Sequence, residues 1–75
     1  MIVTITQVKK NGFIKGVLER QNESGELETK NFSYLPKGGL VSSDLDPESR
    51  RSVMHDIGVA QKAIRLWQEE EGYNG

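Results

Sequence analysis

The chain is expected to adopt an α+β fold: a three-stranded antiparallel β-meander packed on one face by a C-terminal α-helix, in the order β-β-β-α. Three observations carry that expectation. Two turn signals, Asn11-Gly12 and Asn22-Glu23-Ser24-Gly25, separate three runs rich in β-branched and apolar residues. A Pro-, Gly-, Ser- and Asp-rich stretch then extends from Pro36 to Asp46. Beyond it Val53, Ile57, Ala60, Ile64 and Trp67 recur at spacings of four, three, four and three, the period of an amphipathic helix.

Each element follows from its own residues. Positions 2–9 interleave isoleucine and valine with threonine, a strand composition. Asn11-Gly12 calls for a two-residue turn in which both residues take positive φ, so 13–21 form the second strand. The Asn22–Gly25 segment fits a type I turn closed by a left-handed glycine, and 26–35 form the third strand. Residues 36–46 read as a loop. Asp46 is placed as an N-cap, with Pro47 at the first helical position and Glu48 in the positive first turn. The helix spans about 47–71, Gly72 stops it, and 72–75 form a frayed tail. Gly58 marks a kink or a close contact with the sheet, and otherwise costs about 1 kcal/mol against alanine. The whole chain, 1–75, is expected to be one small domain.

Register turns this layout into two faces. A two-residue turn pairs Lys10 with Phe13, setting Ile5 opposite Leu18 and Val3 opposite Arg20. The second turn sets Arg20 opposite Glu28, Gly16 opposite Phe32 and Ile14 opposite Tyr34. One face then collects Val3, Ile5, Ile14, Leu18, Phe32 and Tyr34, with Gly16 where a helix could come close. A one-residue slip of the third strand would bury Thr29, Asn31 and Ser33 instead, which desolvation forbids. The other face carries Thr4, Thr6, Val8, Lys10, Phe13, Lys15, Val17, Glu19, Thr29, Asn31 and Ser33.

Charge and composition narrow the chemistry. Ten basic and eleven acidic side chains give net −1, which argues against a general attraction to nucleic acid or anionic membrane. That total divides into net +2 for residues 1–43 and net −3 for 44–75, a mildly basic sheet and an acidic helix. Without cysteine there is no disulfide framework and no thiolate zinc site. No apolar run exceeds three residues, against the roughly 20 a spanning helix needs. Met1–Thr6 lacks the pattern of a secretory signal, so a cytoplasmic protein without membrane contact is expected. The single histidine, His55, precedes Asp56, and adjacent helix residues point about 100° apart, so they are not expected to form a base–orienter pair. Glu69, Glu70 and Glu71 lie on different helix faces, and Lys37-Gly38-Gly39 is too short for a phosphate loop. No catalytic residue, metal ligand or cofactor site is expected, and the chain reads as a non-enzymatic binding module.

A resemblance attaches to these motifs. The series strand, Lys10-Asn11-Gly12-Phe13 turn, strand, Asn22–Glu26 turn, strand with Lys30 and Phe32, then helix, is similar to the N-terminal arm-binding domains of phage-type tyrosine integrases. Plant ethylene-response DNA-binding domains share that architecture. The resemblance implies a sheet that docks in a DNA groove and suits a phage or mobile-element accessory protein. This chain departs from the family in the eleven residues, 36–46, before the helix and in a less arginine-rich sheet. Lys10-Asn11-Gly12 followed by Gly16-Val17-Leu18-Glu19 also resembles the Sm-type RNA-binding barrels, which need more strands than this chain supplies.

Two binding surfaces follow. In a nucleic-acid module, Lys10 and Lys15 contact phosphates while Thr4, Thr6, Thr29, Asn31 and Ser33 lie near bases. In a protein-interaction module or small regulator, the surface is a broad apolar helix arc of Met54, Val59, Ala63, Leu66 and Trp67. Trp67 is either a core residue against the Ile5–Leu18 face or part of that interface. The arc is wider than a three-stranded sheet can cover. Either the 36–45 loop folds over it, through Leu40, Val41 and Leu45, or a second subunit does. Monomer and homodimer both stay open.

Overall fold

Two hairpins of the same design build the sheet. The computed structural model describes residues 1–42 and 44–72. Strands β1 (Ile2–Val8), β2 (Ile14–Gln21), β3 (Leu27–Leu35) and β4 (Gly39–Val41) form one antiparallel sheet in sequential order, followed by helix α1 (Pro47–Glu71). The α+β class, the meander and the C-terminal helix stand as expected. The strand count does not, because part of the expected 36–46 loop is β4. Gly39, at φ 73°, turns the chain back, and Val41, Leu40 and Gly39 pair with Ser33, Tyr34 and Leu35. Three residues are too few to display an alternating pattern. Of the expected 72–75 tail, Gly72 is the ordered cap of the helix, and the rest lies outside the described residues.

The first turn differs from the two-residue form. Lys9 N–H donates to Phe13 O at 2.8 Å and Gly12 N–H to Lys9 O at 3.0 Å, so Lys9, not Lys10, faces Phe13. Gly12 takes φ 103°, while no residue other than glycine has positive φ among those described. Asn11 stays in the ordinary region because its Oδ1 accepts the Phe13 N–H at 3.1 Å. The second turn repeats the pattern, with Asn22 Oδ1 accepting from Ser24 and Glu26 and Gly25 at φ 81°.

An extra residue in the first turn would flip all of β1. A bulge cancels it. Pairing runs Val8↔Ile14 and Gln7↔Lys15, skips Thr6, and resumes as Ile5↔Gly16, Thr4↔Val17 and Val3↔Leu18. Val3 and Ile5 thus keep the expected core face although every β1 partner differs from expectation. Val8, expected on the outer face, pairs with Ile14 on the helix side. The β2–β3 register is the expected one, including Ile14↔Tyr34, Gly16↔Phe32 and Arg20↔Glu28.

The core lies between this face and α1. Ile14, Leu18 and Phe32 meet Val53, Ile57 and Ile64, ringed by Val3, Ile5, Tyr34, Leu40, Leu45 and Ala60. Each fully buried side chain of this size contributes about 1.5–3 kcal/mol relative to exposure. Asp46 caps the helix, its Oδ1 accepting the Ser49 N–H at 3.0 Å, with Pro47 and Glu48 behind it. Gly72, at φ 66°, closes the other end. No described helix is long and apolar enough to cross a membrane.

Gly16 is crowded by its cross-strand partner rather than by the helix. A Cβ there would sit 2.5 Å from Phe32 Cζ and 2.5 Å from the Thr4 carbonyl oxygen. Gly58 is the opposite case. It is exposed, its helix runs unbroken, and nothing lies within 4 Å of a Cβ placed there, so it makes no close contact with the sheet. Urea unfolding should therefore show Gly16→Ala destabilising by about 1–3 kcal/mol through overpacking. Gly58→Ala should stabilise by about 1 kcal/mol.

Candidate functional site

Side chains alternate across the sheet, so the register fixes the uncovered face row by row. Ile2, Glu19 and Thr29 form one row; Thr4, Val17 and Asn31 the next; Gln7, Lys15, Ser33 and Val41 a third. Thr4, Lys15, Thr29, Asn31 and Ser33 are therefore brought together, as expected. Thr6 is the bulged residue, and its hydroxyl donates to the Lys15 carbonyl at 3.2 Å. The Asn31 carbonyl accepts from Ser42 at 3.5 Å, which ties β3 to the segment after β4.

Lys10 is not part of this face. Its ammonium pairs with Glu71 and lies 5.4 Å from the centre of the Trp67 ring, and its carbonyl accepts from Gln68 Nε2. Lys9 sits 5.5 Å over the Phe13 ring at the hairpin end. Within the three rows Lys15 and Glu19 oppose each other in sign. The face also exposes Ile2, Leu27, Leu35 and Val41, which sequence reasoning did not assign to it. Even spacing from Thr4 for Ile2, and from Thr29 for Leu27 and Leu35, was the available signal, whereas Val41 sits in a strand too short to display one.

The second surface is the outer side of α1. At 100° per residue Val59, Ala63 and Leu66 share one narrow strip, turned away from Val53, Ile57 and Ile64. Val59 is 61% and Leu66 62% exposed, with Ala63 exposed between them. Met54 and Trp67 flank the core at opposite borders of the arc and are 38% and 39% exposed. Trp67 stands outside the core cluster, with the Lys10 ammonium near its ring. Leu40 and Leu45 do fold onto the core, but Val41 points to the other side of the sheet. The strip itself stays uncovered.

Two cations of the first hairpin hold this helix in place. At its start, Arg20 Nη1 donates to Asp46 Oδ2 at 2.9 Å and to the buried Ser49 hydroxyl at 3.1 Å. The Glu28 carboxylate lies 3.5 Å from Arg20 Nε. Hydrogen bonding from Ser49, then from Arg20, lowers the Asp46 carboxyl from its ordinary 3.8 to about 2. Asp46 in turn raises Arg20 above the ordinary guanidinium value. At its end, three successive carboxylates occupy the negative pole of the helix dipole, and the last turn has no basic residue of its own. Lys10 supplies the missing charge from outside.

His55 Nδ1 does reach Asp56 Oδ1, at 3.4 Å, contrary to the expectation that adjacent helix residues stay apart. Exposed side chains bending through solvent close that gap, with His55 79% exposed. Among the described residues no group of three or more His, Cys, Asp or Glu could hold a metal ion. No protein-family model matches the chain, and neither a curated protein nor a solved structure does.

The Asp46 shift fixes a pH dependence. A carboxyl whose folded value lies below its unfolded one stabilises fully above about pH 4, and that contribution fades as pH falls toward about 2. Asp46→Asn keeps the cap but not the charge. Its stability deficit against the natural chain should therefore shrink across that window in acid-titrated unfolding curves. At the other end, Lys10→Ala should speed amide hydrogen exchange in residues 68–71 while leaving 50–54 unchanged. Uniform acceleration along α1 would show that Lys10 does not act locally.

Proposed function

We propose that this chain is a small non-enzymatic binding module that engages another protein through the outer side of α1. The exposed strip Val59–Ala63–Leu66 carries this reading. Two large apolar side chains one heptad apart sit in water on a face that no part of the described chain covers. Rows of this kind serve as helix-borne anchors in protein recognition. Charged Arg51, Lys62 and Glu69 lie along one border of the strip and Asp56 along the other, and they would form a polar rim.

A nucleic-acid reading rests on the outer sheet face, where Lys15 stands among Thr4, Thr29, Asn31 and Ser33. It is the weaker of the two. Lys10 is engaged by Glu71 and Trp67, and Glu19 offsets Lys15, so little net charge is left to meet phosphates.

A photo-crosslinking side chain at Lys62 or at Asn31, in the full chain within its source cells, separates the readings. The helix reading expects protein adducts from position 62 that disappear with Val59→Ser or Leu66→Ser. Salt-sensitive nucleic-acid adducts from position 31, with none from 62, would overturn it.

A further inference from the structure

We propose that a cleft at the first-hairpin end of the molecule binds a small aromatic carboxylate. It lies on the side of α1 opposite the Val59–Ala63–Leu66 strip and goes beyond the helix-face reading. Gln61, Ile64, Arg65 and Gln68 share this side at 100° per residue. With Tyr34 and Pro36, and with Asn11 and Gly12 of the first turn, they line a volume of about 270 Å³. The helix packs chiefly over β1 and β2, which leaves this space above the end of β3. A Cβ added at Gly12 would lie 3.7 Å from Cβ and Cγ of Pro36, so turn and proline form one continuous wall. The volume admits one ring and one charged group, and falls just below the range of drug-sized pockets.

The polar groups of the cleft are donors that lack acceptors. Among the described residues the Tyr34 hydroxyl and the Gln61 amide make no hydrogen bond. The Arg65 guanidinium makes no ion pair among them. Asn11 Oδ1 is taken by the Phe13 N–H, which leaves the Asn11 amide nitrogen to donate. No carboxylate lines the cleft. Glu71 is paired with Lys10, and Glu69, one turn beyond Arg65, is rotated about 40° farther toward solvent. A ligand carboxylate therefore supplies the missing acceptor, met by the planar fork of Arg65 and by the Tyr34 O–H. The floor is apolar. Ile64 is 4% exposed, and the Tyr34 ring packs against the core. A flat ring suits that floor, whereas the polar edges of a sugar would be desolvated there without partners.

Benzoate, titrated at constant ionic strength into the isotope-labelled full chain and followed by amide NMR, tests this. Saturable shifts are expected at Asn11, Gly12, Tyr34, Gln61, Arg65 and Gln68, with a millimolar dissociation constant for so small a ligand. Benzamide, the same shape without the charge, should bind about tenfold more weakly, as should benzoate to Arg65→Gln. Tyr34→Phe, which keeps the ring, should cost about threefold. Arg50→Gln removes an equal charge from an exposed site roughly 22 Å away along α1 and should leave binding unchanged. Arg65 is exposed, and circular dichroism of each variant shows that the fold persists. Shifts that never saturate, benzamide binding as tightly as benzoate, or equal losses in Arg50→Gln and Arg65→Gln would each overturn the inference. So would inorganic phosphate producing the same shifts as tightly as benzoate, because the ring would then contribute nothing. Crosslinking from position 62 is independent of every one of these results, so the helix-face reading stands or falls separately.

Discussion

Everything in this fold depends on how a 25-residue helix is held over a sheet that offers it only a thin apolar layer. Such a helix runs roughly 37 Å, whereas an eight-residue strand spans roughly 26 Å. Its two ends therefore project toward the two hairpin turns, where apolar packing gives out. Arg20 and Lys10 act at those places. One binds the cap and the first turn through Asp46 and Ser49, and the other binds the last turn through Glu71 and Gln68. The direction of the helix along β2 follows from these contacts. So does which of its sides is left facing solvent.

Much of this was legible in the residues. Gly25 sets the second turn, and the β2–β3 register follows from it down to the Arg20–Glu28 neighbours. Asp46-Pro47-Glu48 announces the helix start in three consecutive positions. The first turn was harder, because Asn-Gly is compatible with two closures that differ by one residue. The choice fell to the Asn11 side chain, which satisfies Phe13 instead of taking up positive φ itself. The bulge at Thr6 leaves no mark in composition, since threonine suits either a regular or an irregular strand position. The Lys10 contact needed a tertiary argument. A signal for it existed, because three carboxylates at the negative pole of a helix call for a cation from another element.

The same contact redistributes the candidate surfaces. A lysine expected among the hydroxyls and amides of the sheet is spent on the helix end, so the sheet face becomes nearly neutral. The helix meanwhile keeps its outer strip free of every other described element. The division into a mildly basic 1–43 and an acidic 44–75 is thus reduced where the two meet, at Lys10 and Glu71.

The irregularity at Thr6 has a further consequence beyond the register it repairs. An open four-stranded sheet has two unpaired edges, each a template on which a strand from another molecule can add. Here β4 is only three residues long, and β1 is broken by its extra residue. The β1 edge therefore presents no long, flat ladder of free amides and carbonyls, whereas on the far side β4 covers only Ser33–Leu35 of β3. A feature that first looks like a correction to hairpin geometry thus also guards the β1 edge against strand addition.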